Sequence, residues 1–236
     1  TLLVDMDLDG VAHSVVMGMG WTDFRLAQEA NEYIIEAVAN NPGRLTGFCS
    51  VSPNWGAEAV AEVERCTAAG LKGVGELHPD TQGFDIADKT VMEPLMETAN
   101  RLGLPVLVHA SEPVGHQYPG KGRTTPGKLY KFIENFPSNV IICAHWGGGL
   151  PFYALMPEVP KVLENVYFDT AASPFLYRPD VFSAVTGLVG ANKVLFATDY
   201  PLIRARRLLG QVEEACLAPE NQEAVLSGNA ARLFGL

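Results

Sequence analysis

No stretch of this chain approaches the ~20 consecutive apolar residues that a membrane-spanning helix needs, and no charged-then-apolar leader opens it. Neither membrane insertion nor secretion is therefore expected. Positive charge is scarce: 17 Lys and Arg stand against 27 Asp and Glu, a formal net charge of −10. That balance argues against nucleic acid or an anionic membrane surface as a partner and leaves a small-molecule substrate. The cysteines Cys49, Cys66, Cys143 and Cys216 are widely spaced and form no CxxC, which excludes a disulfide framework or thiolate metal site as the leading reading. Free thiols imply a reduced compartment, and the expectation is cytoplasmic. No GxGxxG follows an early strand, so an open dinucleotide-binding sheet lacks its main support.

What is present is a chain of 236 residues, 47% hydrophobic and 19% charged, enough to build a sizeable core. Short β-branched runs alternate with longer amphipathic segments. The runs Ala12–Met17, Thr46–Val51, Gly73–Leu77, Pro105–Ala110, Val140–His145, Val166–Thr170 and Val194–Thr198 read as strands. Between them, Phe24–Asn40, Ala57–Ala69, Lys89–Arg101, Pro126–Asn135, Pro151–Leu163, Pro179–Val189 and Arg204–Cys216 read as helices, with more helix over Pro219–Phe234. The strands are almost continuously apolar, as in a parallel sheet covered by helices. The length is close to the ~250 residues of one (β/α)8 TIM barrel. Seven strands are visible where a closed barrel has eight. The chain begins at Thr1 in what reads as the end of a helix, so the first strand is expected to precede it. Residues 1–236 are expected to form a single domain.

In such a barrel the C-terminal strand ends form the active face. Here Glu76, His78, His109, His145, Asp169 and Asp199 all fall at or just past those ends, while the strand bodies carry almost no ionisable groups. Strand alternation pairs Leu107 with His109, Cys143 with His145, and Ala197 with Asp199 on shared faces. If those faces point inward, imidazoles and carboxylates converge near the axis. Such donors suit zinc first, with manganese, iron or nickel as alternatives. Glu76 is open between ligand, outer support and ion pair. Asp169 reads as a group that orients a ligand, and His13, away from that end, reads as structural.

The motifs VLVHASEP around His109, ICAHWGGG around His145, FATDYP around Asp199 and the ending GNAARLFGL together resemble the amidohydrolase-2 branch of the amidohydrolase superfamily, relatives of aminocarboxymuconate-semialdehyde decarboxylase. The resemblance implies a metal-dependent enzyme on a TIM barrel. It makes His109 and Asp199 metal ligands and His145 the catalytic histidine beside the metal, with Asp199 doubling as general base. A homodimer is implied in the same way. Two departures stand out. The HxH pair that supplies two ligands from the family's first strand occurs nowhere in this sequence. Some relatives also use a carboxylated lysine, but Lys72 lies at the wrong end of its strand, with Glu76 at the productive end.

The loop SEPVGHQYPGKGR, 111–123, is long and rich in Pro, Gly and polar groups. His116, Tyr118, Lys121 and Arg123 are candidates for binding a substrate carboxylate there. Trp146, with Phe152, Tyr153, Phe175 and Tyr177, is a candidate apolar wall. The glycines 147–149 before Pro151 form either an anion-binding nest or a tight turn. The sequence leans to hydrolysis of an amide, ester or lactone by metal-activated water. Non-oxidative decarboxylation on the same scaffold is the alternative, and a non-catalytic barrel that has lost its metal is the third reading.

Overall fold

The computed structural model describes residues 1–236. Its seven strands are β1 (Ser14–Val16), β2 (Leu45–Gly47), β3 (Val74–Leu77), β4 (Val106–Val108), β5 (Ile141–Cys143), β6 (Val166–Asp169) and β7 (Val194–Leu195). All pair in parallel with their sequence neighbours. A bridge between Cys49 and Val74 joins β2 to β3, so the order runs β1 to β7 without interruption. This is the parallel α/β arrangement of a TIM barrel, with seven of the eight strands of the full ring in this chain.

Alternation along the strands separates two apolar layers. Val74, Val106, Val108, Ile141, Cys143, Val166 and Phe168 face outward and pack on helix residues such as Val63, Leu95, Met96, Leu129 and Phe132. Phe48, Leu107, Ile142, Ala144 and Leu195 face inward. Phe234 completes this inner cluster from the C-terminal helix Asn229–Phe234, meeting Phe48 edge-on at 5.6 Å between ring centroids. The Lys72 ammonium, at the start of β3, donates to the Phe234 carbonyl at 3.1 Å. The last helix therefore closes the floor of the barrel, opposite the strand ends that carry the polar residues.

The surrounding helices begin and end where local chemistry dictates. Asp23 caps Phe24–Asn40 by accepting from the amides of Arg25 and Leu26, and Asp88 caps Lys89–Leu102 through Thr90 and Val91. Gly103 ends the latter in the left-handed region. The expected helix Pro151–Leu163 is not continuous: a 3-10 segment, Leu150–Leu155, gives way to one turn at Val159–Val162. Pro157 and Pro160 interrupt it, since proline offers no amide to an α-helical ladder. Pro219–Phe234 is helical but widens into a π-turn at Ala224–Gly228.

The N-terminal segment Leu2–Asp9 is a helix ended by Gly10 at φ 72°. Its Asp9 receives both Arg204 and Arg206, and its Asp5 accepts from the Tyr200 hydroxyl at 2.8 Å. These contacts fasten the loop that follows β7. His13 bonds Thr46 and the Gly43 carbonyl, a structural role. Cys49, Cys66 and Cys143 are buried free thiols, and Cys216 is an exposed one. No helix is long and apolar enough to cross a membrane.

Candidate metal centre

Glu76 reaches the barrel interior through an irregularity. Between the pairs Val74–Val106 and Leu77–Val108, β3 advances three residues while β4 advances two. The extra residue is a bulge, which lets Val74 and Leu77 both bury outward and turns Glu76 inward. Gly75 makes this possible: at φ 133°, any Cβ there would lie 2.5 Å from the Leu107 carbonyl oxygen.

His109 arrives by simple alternation, two residues past the inward Leu107. Its backbone amide donates to Leu77 at 2.9 Å, extending the ladder beyond β4. The His109 ring meets Glu76 Oε1 through Nδ1 at 3.0 Å and the Gly120 carbonyl through Nε2 at 3.2 Å. His78 stacks on it, with ring centroids 4.0 Å apart, and is itself bonded to Thr81.

His145 corrects the alternation argument. Cys143 faces outward and Ala144 inward, so a continued strand would aim His145 at the helices. Instead the backbone turns left-handed at His145, φ 55° and ψ 50°, and stays left-handed through Gly149. For a non-glycine residue that conformation costs roughly 1–2 kcal/mol. Asp169 offsets it: Oδ1 accepts from the His145 amide at 2.9 Å and the Ala171 amide at 3.0 Å. The ring's Nδ1 donates to the Ala171 carbonyl at 3.0 Å, which fixes the tautomer and leaves Nε2 facing the interior.

The result is three donor atoms, from Glu76, His109 and His145, all within 4.8 Å of one another. His145 Nε2 stands 3.7 Å from Glu76 Oε1, and the two imidazoles meet edge-on at 4.9 Å. Asp199 follows β7 at φ 66°, beside this group. Burial raises its pKa, Glu76 adds to the rise, and the His145 and His109 charges oppose it. Burial acts against ionised Glu76 too, but the hydrogen bond and charge of His109, with His145 and His78, hold its pKa below the usual value. For His145, burial is outweighed by Glu76 and Asp169, and its pKa rises. Burial pushes Asp169 up to about 6.

These donors fit a divalent cation. His109 Nδ1 and Nε2 each face an oxygen that only accepts, the Glu76 carboxylate and the Gly120 carbonyl, so the Glu76 contact is a hydrogen bond from Nδ1 that a cation can replace. Loss of that proton leaves an imidazole lone pair and a carboxylate converging with His145 within 4.8 Å, and mixed imidazole and carboxylate donors are those of transition-metal sites.

The substrate-binding candidates separate. His116, Tyr118 and Lys121 line a cleft of ≈ 370 Å³ beside the site, with Phe152, Tyr153 and Tyr177 among its walls. The cleft also takes in Gly148 and Gly149, just after His145, and Glu112, just after Ser111, whose hydroxyl lies 3.4 Å from His109 Nε2. Glu112 was hidden in the sequence among the polar residues of a loop. Three assignments need correction. Arg123 points away, largely exposed and paired with Asp80 at 2.9 Å. Trp146 is wholly buried behind the site, its indole N–H donating to Ser173 and its ring edge-on to Phe182. Phe175 lies outside the cleft, under Arg207.

The sequence profile of the Amidohydrolase family matches residues 3–236. The chain is 25% identical to a 2-amino-3-carboxymuconate-6-semialdehyde decarboxylase of Dictyostelium discoideum, over 98% of this chain and 74% of the relative. It is 24% identical to a gamma-resorcylate decarboxylase of Polaromonas sp., over 89% of this chain and 76% of the relative. Among solved structures it is similar to a 5-carboxyvanillate decarboxylase from Novosphingobium aromaticivorans, complexed with manganese and 4-hydroxy-3-methoxy-5-nitrobenzoic acid. There the TM-score is 0.80 at 19% identity, over 100% of this chain and 79% of the other. The two curated relatives correct the expectation of a hydrolase: both release CO₂ from a carboxylic acid, and neither is named for cleaving an amide, ester or lactone.

Proposed function

The chain belongs to the amidohydrolase family, and from that membership we propose that it is a metal-dependent decarboxylase of a small carboxylic acid. The observation that carries the reading is the convergence of Glu76, His109 and His145, three donor atoms within 4.8 Å of one another, in a chain whose relatives include decarboxylases.

Glu76 and His109, with Asp199 beside them, are assigned as the residues that hold the ion. A divalent cation there supplies Lewis-acid polarisation and orientation of an anionic substrate. Manganese, carried by the structurally similar decarboxylase, joins zinc as the ion expected. His145 is assigned as the proton donor. Loss of CO₂ leaves an electron pair on the carbon, and a proton must take the place of the departed group. His145 suits that task because Ala171 and Asp169 pin its far nitrogen and its backbone, so only Nε2 is presented. The neighbouring carboxylates favour its charged form. Asp199 stays ionised when it holds the ion, so its place at this rim is that of a proton acceptor rather than a donor. The aromatic walls of the cleft, among them Phe152, Tyr153 and Tyr177, offer an apolar surface beside His145.

The test is a panel of aromatic and unsaturated carboxylic acids, assayed for CO₂ release with the protein reconstituted in Mn²⁺ or Zn²⁺, alongside amides, esters and lactones assayed for hydrolysis. CO₂ release that disappears with a chelator is the expected result. Metal-loaded protein that cleaves a lactone or amide and decarboxylates nothing would overturn the assignment.

A further inference from the structure

Glu112 takes no part in the cation cluster, yet it is held in place with care. Its Oε2 accepts from the Tyr118 hydroxyl at 3.0 Å. Its Oε1 is buried and accepts no well-formed hydrogen bond from the protein. The Tyr177 phenol faces the same carboxyl group. Burial and the Glu112 charge raise the pKa of Tyr177 and bring Tyr118 up to about 12, so both tyrosines keep their protons at neutral pH. The cation closest in the loop, Lys121, is spent on the carbonyls of Val114 at 2.7 Å and His116 at 3.0 Å.

A buried acceptor without a well-placed donor is costly to leave so, and Glu112 Oε1 is therefore poised for a donor that comes closer than the Tyr177 phenol. The space around it is that of a flat apolar ligand. Phe152, Tyr153, Leu176 and Pro113 line the cleft, and ≈ 370 Å³ accommodates one substituted ring. Glycine at 148 and 149 keeps the wall thin on the side nearest His145.

We propose that Glu112 is the specificity-determining residue of the cleft: the ligand is a single aromatic ring, and Oε1 accepts a hydrogen bond from an O–H or N–H group carried on that ring. The identity of the ring as a substrate rests on the decarboxylase reading; the acceptor role of Glu112 does not. The cleft thus selects phenols or anilines over their methyl ethers, which offer an acceptor to an acceptor.

The experiment is calorimetric titration of the manganese-loaded protein with meta- and para-hydroxybenzoate, the matching aminobenzoates and the matching methoxybenzoates. Wild type is expected to bind a donor-bearing ring about tenfold or more tighter than its methoxy counterpart, since a site built around a hydrogen bond penalises its loss strongly. Glu112→Gln places an amide donor beside the acceptor and is expected to narrow that preference to about threefold or reverse it, by the same pairing logic. Should that variant not fold, Glu112→Met, with no acceptor, is expected to narrow it as well. Equal binding of hydroxyl and methoxy rings by wild type, an undiminished preference in the variants, or failure of every ring to bind would each overturn the proposal. CO₂ release from the bound acids is scored separately. Donor preference without any CO₂ release leaves Glu112 in its role and removes the decarboxylase; CO₂ release without donor preference does the opposite.

Discussion

Asp169 supports His145 through its backbone rather than its ring: Oδ1 accepts from the His145 amide at 2.9 Å, while the imidazole is oriented by the Ala171 carbonyl. Asp169→Ala strands two buried amides, those of His145 and Ala171. The expected loss is ~2–4 kcal/mol in urea denaturation, together with loss of turnover as His145 leaves its left-handed conformation. Asp169→Asn retains an acceptor oxygen and is expected to recover most of the stability. Equal destabilisation by both variants would contradict this role.

Glu76, His109 and Asp199 are assigned to hold the ion, and His145 to move a proton. Alanine at any of the first three is expected to lower bound metal, measured by plasma mass spectrometry after dialysis, by tenfold or more in affinity, a loss typical of disturbed metal sites. Alanine at His145 is expected to leave most of the metal and reduce turnover by about 10²–10⁴-fold, the range of general acid catalysis. Unchanged metal content in both the Glu76 and His109 variants would count against the site.

Gly75 is fixed by contact as well as by φ. A methyl at that position meets the Leu107 carbonyl oxygen at 2.5 Å. Gly75→Ala is expected to cost about 1–3 kcal/mol in strain and to shift Glu76, so that manganese affinity falls although no donor atom has been removed. An alanine variant with wild-type stability and metal affinity would show that the bulge relaxes freely.

Glu62 supplies a pH dependence remote from the site. Burial alone would raise its pKa, but hydrogen bonds from Arg65, Asn31 and Gln28 outweigh it and hold the carboxyl down at about 2. A folded-state pKa below the unfolded one gives stability that is complete above the unfolded value of about 4.5 and drains away as pH falls toward 2. Glu62→Gln is therefore expected to be less stable than wild type by on the order of 2–3 kcal/mol at pH 7, with the gap closing as denaturation is repeated at pH 5, 4 and 3. A gap independent of pH would indicate lost packing instead of lost charge.

Much of the fold was legible because the strands are compact apolar runs, and six of the seven observed strands lie within the expected runs, while β2 begins one residue before its own. His109 was legible too, since it obeys the alternation that begins at Leu107. Glu76 and His145 could be placed at strand ends but not aimed. A bulge turns one and a left-handed backbone turns the other; Gly75 is the only residue type that hints at the first, and His145 itself gives no sign of the second. Trp146 was misread for the same reason: the turn that brings His145 inward carries its neighbour into the core. Glu112 was invisible because an acidic residue in a polar loop looks solvated until the two tyrosines around it are seen.

The aromatic stopper formed by Phe234 at the base of the barrel makes the interior a cul-de-sac. Whatever small molecule reaches the strand-end rim must leave by the doorway it used, and any gas set free there shares that exit with the next arrival. Access to the rim is then across the loop 111–123 rather than through the barrel.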